Sequence, residues 1–316
     1  MNKITDDFDE FVEEISLNES LKKDIISKHN SLGDMIKKEA PDGYTIERIL
    51  LSGSYAKHTV LNEYDKDKKP DVDMIVIIKD EKQDVDTVNS DFLTYFKDKK
   101  GSIVSEIRQQ SNSIGLIYSN ISVDIVIATY DEQKETLKIA SNKKHTWVES
   151  NALKHIGYMK DKKATYEGFS YYSLMKLFKY LNKEIYKTKI KSYTLEQLIH
   201  LCAPYPSVGT RLHQVFVETV NNISELSSIY EIRDCCDNFK KGYDDKDIDV
   251  FEDFKALISE TANLANSAIE GNRKDWEKIF GDRFPKQPNI KVENNAKYDK
   301  TQTPWCNNKR WSNLLF

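Results

Sequence analysis

The sequence predicts an α+β protein, with a mixed β-sheet in its first half and a helical lobe after it. Three observations carry this. Residues 72–78 (VDMIVII) form an almost continuous β-branched, apolar run, the pattern of a buried strand. Residues 103–109, 114–118 and 121–129 supply further short strand patterns, the last two joined by a turn at Ser119-Asn120. From about residue 145 onward the apolar spacing becomes helical.

The elements follow in order. Residues 6–38 place Phe8, Phe11, Val12, Ile15, Leu21, Ile25, Leu32 and Ile36 on a helical stripe, with a break near Asn18. Pro41-Asp42-Gly43 is a turn and 44–51 a short strand. Residues 91–96 sit in a crossover helix that covers the sheet. The stretch 169–186 carries Tyr171, Leu174, Met175, Phe178, Leu181 and Ile185 at helical spacing, and 194–201, 209–222 and 248–270 are further helices. Pro204 and Pro206 separate 194–201 from 209–222. Residues 276–280 form a short amphipathic turn ending at Gly281. The organisation is thus 1–145, an N-terminal helix and sheet; 146–285, a helical lobe; and 286–316, a polar, Asn/Lys-rich tail of unknown role with late aromatics at Trp305, Trp311 and Phe316.

The formal net charge of −4 argues against a general duplex-binding protein, which carries a basic excess. The lysine-rich segments 66–69, 97–100 and 160–163 read as solvated faces, whereas 183–191 flanks a candidate phosphate-binding lysine described below. No apolar stretch approaches the roughly 20 residues that span a bilayer. The acidic start lacks a secretory apolar core, so no membrane association and a cytoplasmic location are expected. Cys202, Cys235, Cys236 and Cys306 form no C-x-x-C pair; they are neither a disulfide framework nor a strong zinc pattern, and read as incidental or buried thiols.

Pro70-Asp71-Val72-Asp73 opens the buried strand. Residues two apart on a strand share a side, so Asp71 and Asp73 aim at one spot. Two like charges so placed repel, and a cation relieves that cost. Asp124, the lone carboxylate of 122–127 (SVDIVI), completes a triad if its strand neighbours 72–78. Three carboxylates suit Mg²⁺ or Mn²⁺ and can hold two ions roughly 3.5–4 Å apart, the arrangement for in-line phosphoryl transfer. Taken alone, D-x-D also reads as a solvated strand start.

The discriminating feature lies upstream. Leu51-Ser52-Gly53-Ser54-Tyr55-Ala56-Lys57-His58-Thr59 follows a short strand. Gly53 permits close backbone approach, and Ser54 offers a hydroxyl and an amide to an anion. Gly-Ser is common in turns; Gly-Ser followed by D-x-D and a third strand aspartate is much rarer.

Together, G-S-Y-A-x-x-T, P-D-V-D-M-I-V and S-V-D-I-V-I resemble the motifs of the polymerase-β-like nucleotidyltransferases and, within them, of the bacterial cGAS/DncV-like nucleotidyltransferases (CD-NTases, the SMODS group). The resemblance runs over roughly residues 1–285. It implies a nucleotidyltransferase palm in 1–145, a lobe in 146–285 that completes the nucleotide pocket, and a long N-terminal helix bridging the two. Leu177-Phe178-Lys179-Tyr180-Leu181 followed by Ser192-Tyr193-Thr194-Leu195-Glu196 is similar to the family's helical-lobe pattern. By that resemblance Lys179 and Ser192 contact the donor triphosphate and Tyr193 stacks on a base, roles that fit a mobile cation and an aromatic face. Glu196 caps its helix or pairs with a lysine. Trp276 to Pro285 looks like the end of the lobe and reads as packing.

The resemblance further implies catalysis by Asp71, Asp73 and Asp124 with two Mg²⁺ or Mn²⁺ ions. Its substrates would be nucleoside triphosphates, ATP among them, and its product a cyclic di- or trinucleotide messenger of anti-phage (CBASS) signalling that acts through a cyclic-nucleotide-sensing effector. No stable nucleic-acid partner is expected. The alternatives are a transferase making linear oligonucleotides or placing NMP on RNA, protein or a small molecule, and a catalytically silent nucleotide-binding or partner-binding module. The sequence also departs from the family. Lys57-His58 stands where many relatives carry an arginine and a small or polar residue, and a loop histidine such as His58 faces solvent more often than phosphate. The zinc insertion of the animal cyclic GMP-AMP synthases is absent, and Asn313-Leu314-Leu315-Phe316 is unlike a ubiquitin-style conjugation terminus.

Overall fold

The computed structural model describes residues 3–62, 69–79, 84–99, 104–166, 169–188 and 190–286. Lys66, Lys68, Lys100, Ile103, Lys189, Cys306 and the tail aromatics Trp305, Trp311 and Phe316 lie outside the described residues. Residues 1–285 gather into one compact unit.

The N-terminal segment is two helices, α1 (Lys3–Glu14) and α2 (Glu19–Glu39). The break falls at Asn18, whose side chain accepts the Leu21 amide at 2.8 Å and so caps α2. The two helices serve different cores. Phe8 and Phe11 of α1 are fully buried among the helices of the second half. Ile25, Leu32 and Ile36 of α2 pack on the sheet. The long bridging helix that the resemblance implies is therefore a pair, broken at Asn18 where the sequence suggested, with one member on each core.

The sheet runs β1 (Ile46–Ser52), β2 (Asp71–Ile78), β5 (Ser122–Asp131), β4 (Ile114–Ile117), β3 (Glu106–Gln109), with the short helix α3 (Gly53–Ala56) directly after β1. β6 (Thr136–Ser141) pairs with β5, and β7 (Thr146–Ser150) with β6; the sequence reading had no counterpart for this pair. β2 and β5 are parallel and the other pairings antiparallel. Helix α4 (Val85–Asp98), longer than the 91–96 expected, lies with α2 over the face formed by Val72, Met74, Val76 and Ile78. The opposite face carries Ile75 and Ile77 under Ala152 and Leu153.

The helical half comprises α5 (Ala152–Thr165), α6 (Tyr171–Tyr180), α7 (Ser192–Cys202), α8 (Leu212–Glu225), a small hairpin of β8 (Arg233–Asp234) and β9 (Asp237–Lys241), α9 (Phe251–Ile269) and α10 (Lys274–Phe280). The continuous helix expected over 169–186 instead changes to a π-turn at Leu181–Ile185. The apolar stripe ends at Ile185, inside that turn, so no later residue is left in the pattern to betray the change of phase. The aromatics that close the helical lobe, Trp276 to Phe284, do pack as anticipated. Phe8 meets Trp276 edge-on at 4.9 Å, Phe280 at 5.6 Å and Phe284 at 5.5 Å. This cluster joins the first helix to the last.

Phe8 fills a dry site ringed by aromatics that cannot collapse inward. Phe8→Ala should therefore cost about 3–5 kcal/mol. Urea unfolding should show a matching fall in midpoint at an unchanged slope; a loss below about 1 kcal/mol would contradict this packing.

Candidate active site

The parallel register of β2 and β5 sets Asp71 opposite Ser122 and Asp73 opposite Asp124. Strand alternation then turns Asp71, Asp73 and Asp124 to one side of the sheet. All three line a single cleft of about 1410 Å³ between the sheet and the helical half. Each has a support from the chain itself. The Ser122 hydroxyl donates to Asp71 Oδ1. Gln110 Nε2 donates to Asp124 Oδ1 at 3.0 Å. Lys57 and Lys179 lie close enough to Asp73 to favour its charged form.

That support does not cancel the crowding. Burial, and after it Asp71, raises the Asp73 carboxyl above the ordinary range. Asp124 is pushed up to about 6, by burial first and then by Asp73 and Asp71. Three oxygen-donor side chains converging on one cleft, two of them with raised proton affinity, fit a hard divalent cation, which removes the repulsion that the protein alone leaves.

The turn after β1 is built around this cluster. Gly53 has φ of +58°, in the region that favours glycine. A β-carbon on it would stand 1.7 Å from Asp73 Oδ2. Glycine is thus required twice, for backbone conformation and for the approach of the loop to the carboxylate. Beyond it, the Ser54 carbonyl accepts the Thr59 amide at 2.9 Å and closes the loop. His58 is exposed and its ring lies 5.1 Å from that of Tyr172, not on the cleft.

The helical half contributes the opposite wall. Lys179, near the end of α6, is buried, and its Nζ donates to Thr59 Oγ1 at 2.8 Å and pairs with Glu196 at 2.8 Å. Glu196 also accepts from Lys57 Nζ. Burial alone would raise the Glu196 carboxyl, but Lys179 and Lys57 hold it at about 2. Glu196 is therefore an ionised clamp between two lysines, the pairing that its position suggested. Ser192 begins α7 and is exposed. The Tyr193 hydroxyl donates to Asp234 Oδ2 at 2.8 Å.

The structure places Gly53, Ser54, Asp71, Asp73, Asp124, Lys179, Ser192 and Tyr193 around this one cleft. Sequence reasoning passed over Lys57, Thr59 and Asn182, which also line it, and Gln110, which steadies Asp124. Lys183 and Lys187, from the lysine-rich segment singled out earlier, stand on its wall too. Thr59 was visible as the last residue of the G-S-Y-A-x-x-T motif; nothing in the sequence pointed to Gln110.

A mixed sheet with an aspartate triad facing a Gly-Ser turn, closed by a helical half, is the arrangement of a nucleotidyltransferase. The family model for the Second Messenger Oligonucleotide or Dinucleotide Synthetase domain (SMODS) matches residues 1–163, more than half of the 316-residue chain, and the chain belongs to that family. It is a CD-NTase-type nucleotidyltransferase, an enzyme of cyclic oligonucleotide messenger synthesis, and its family implies use of a divalent metal. The cyclic AMP-AMP-AMP synthase of Acinetobacter sp. (strain ATCC 27244 / 9458) is 24% identical over 294 residues, 86% of this chain and 83% of that protein. Among solved structures, the Bradyrhizobium diazoefficiens CD-NTase CdnG in complex with GTP superposes with a TM-score of 0.69 at 13% identity, over 90% of this chain and 97% of that one. E. coli MS115-1 CdnC with ATP gives 0.63 at 17% identity, over 89% and 98%. Vibrio cholerae DncV cyclic AMP-GMP synthase gives 0.60 at 11% identity, over 82% and 77%. At such identities the structures show a common fold. Among the described residues no helix is long and apolar enough to cross a membrane.

Two outcomes follow from this geometry. Gly53→Ala should fold yet lose most activity, because its β-carbon displaces Asp73; an alanine variant of full activity would show that the loop does not approach the carboxylate. Asp124→Asn should abolish activity and, in metal-free protein, raise stability. The sign follows from a folded pKa of about 6 against an ordinary 3.8. Whatever Asp124 contributes at low pH is lost as pH rises through about 6, so the asparagine gains above that range and its advantage fades below it. Allowing for solvent screening, the gain is on the order of 1 kcal/mol. Thermal melts of both proteins in chelator, from acidic to mildly alkaline pH, measure it.

Proposed function

We propose that this chain joins nucleoside triphosphates, ATP among them, into a cyclic di- or trinucleotide with release of pyrophosphate. The product then acts through a cyclic-nucleotide-sensing effector in anti-phage (CBASS) defence. The observation that carries this reading is the gathering of eight residues, from both halves of the chain, around one cleft. Its volume of about 1410 Å³ exceeds the roughly 300–1,000 Å³ of a pocket for one small ligand, leaving room for an acceptor nucleotide beside the donor. The named relative in Acinetobacter and the ATP- and GTP-bound neighbours favour the same substrates.

The roles divide by position. Gly53 and Ser54 receive the β- and γ-phosphates on backbone amides and the Ser54 hydroxyl. Lys179, held by Thr59 and Glu196, offers its charge to the same phosphates from the other wall, and Ser192 adds a hydroxyl. Tyr193, fixed by Asp234, presents its ring to the donor base. Asp71 and Asp73 would hold one Mg²⁺ or Mn²⁺ and share a second with Asp124. Bound there, such ions neutralise triphosphate charge and ease ionisation of the attacking hydroxyl. Asp124, with its raised pKa, accepts the proton of the acceptor's ribose hydroxyl. That oxygen bonds to the α-phosphorus as the bond to pyrophosphate breaks, and a further such step on the linear product closes the ring.

The test is incubation of purified protein with labelled NTPs and Mg²⁺ or Mn²⁺, followed by phosphatase treatment and chromatography. A small product resistant to phosphatase is expected. The Asp71→Asn, Asp73→Asn variant should fall by more than about 100-fold, since even outer-shell partners of a metal cost about 10- to 100-fold. Products that phosphatase degrades completely would assign linear synthesis instead. Undiminished turnover in the double variant would remove the aspartates from catalysis.

A further inference from the structure

A second cluster of ligating side chains lies outside the catalytic cleft. His155 projects from α5, Asp234 ends β8, and Cys235 and Cys236 form the turn of the β8–β9 hairpin. One donor atom from each lies within 4.8 Å of every other. None of the four lines the cleft that holds the aspartate triad.

We infer that His155, Asp234, Cys235 and Cys236 form a structural zinc site that fastens the β8–β9 hairpin to α5. The donor set is one imidazole, one carboxylate and two thiols, the borderline-soft mixture that zinc takes, in contrast to the all-oxygen triad. The spacing fits as well. With Zn–S of about 2.3 Å and Zn–N or Zn–O of about 2.0–2.1 Å, tetrahedral neighbours stand roughly 3.3–3.8 Å apart. Here the two sulfurs are 3.7 Å apart, and His155 Nε2 is 3.1 Å from either Asp234 oxygen. The His155 and Asp234 side chains are only 13% and 5% exposed.

Surrounding bonds orient the donors, as second-layer partners do in metal sites. The Cys236 amide donates to Asp234 Oδ1 at 2.8 Å, the Tyr193 hydroxyl to Asp234 Oδ2 at 2.8 Å, and the Cys235 amide to Gln197 Oε1 at 2.7 Å. Local stability points the same way. A two-stranded hairpin is marginal by itself. This one pairs a two-residue strand with a five-residue strand whose last four residues are exposed. The sequence hid the site because its histidine lies 79 positions from Asp234 and its cysteines are adjacent rather than spaced.

The experiment measures metal in the full chain, purified without chelator after expression with zinc. Elemental analysis should find close to one zinc per chain. Cys235→Ser with Cys236→Ser should reduce this to background, whereas Cys202→Ser, a buried thiol outside the cluster, should retain it. Cobalt loaded in place of zinc should show a thiolate-to-cobalt absorption band that the double variant lacks. Zinc retained in the double variant, ready alkylation of both thiols in folded zinc-supplied protein, or a Cys235–Cys236 disulfide found by mass would each overturn the inference. Should the double variant fail to fold, the wild-type spectrum decides, and a cobalt-loaded chain without the thiolate band refutes the site. None of these readouts depends on nucleotide turnover, so they stand apart from the catalytic reading.

Discussion

The site depends on a repulsion that the fold maintains. Parallel pairing of β2 with β5 puts Asp73 beside Asp124, with the more exposed Asp71 one pleat away, and burial denies Asp73 and Asp124 much of the water that would shield them. Such an arrangement persists only because the rest of the sheet is strongly cohesive. Val72, Met74, Val76, Ile125 and Ile127 are buried on the opposite face and fix the register; a slip of one residue would turn the aspartates into the core. Stability invested in that core is what allows the cleft to remain poorly satisfied.

The two halves meet over the same spot. Glu196 sits between Lys57 of the loop after β1 and Lys179 of α6, and Lys179 reaches back to Thr59. Replacing a buried ion cluster by apolar side chains is often neutral or favourable for stability, so the cluster is better understood as positional. It holds two cations next to a charge-rich pocket without letting either collapse onto Asp73. The bent N-terminal pair performs a similar join from outside, with α1 in the aromatic cluster of Trp276, Phe280 and Phe284 and α2 on the sheet.

Much of this could be read from the chain. Strand β2 and the motif residues announced themselves because a buried strand rarely carries charge, so each aspartate in an apolar run demanded a reason. The break at Asn18 and the packing role of Trp276 to Phe284 were visible for similar local reasons. What escaped was set by tertiary contact. Thr136–Ser141 and Thr146–Ser150 are short strands of mixed polarity, recognisable only once β5 offers the first a partner and the first offers the second one. Gln110 matters because a sheet edge brings it to Asp124. His155 and Cys236 had no common signal at all until the chain folded.

The π-turn at Leu181–Ile185 fixes how the wall of the cleft is arrayed. It accommodates one residue more than an α-helical turn, and so shifts the phase of everything after it by about 100°. Lys179, Asn182 and Lys183 stand three and four residues apart and so share one helical face on the cleft, and Lys187 follows them on the same wall just beyond the turn, in the left-handed region at φ +52°. The turn closes with the Tyr186 amide donating to the Leu181 carbonyl at 2.8 Å and the Thr188 amide to the Asn182 carbonyl at 3.2 Å, so the chain leaves the helix while still bordering the cleft and returns to it at Ser192. The wall thus owes the common direction of Lys179 and Lys183 to ordinary helical spacing, and owes to the wider turn the point at which the chain stops being a helix.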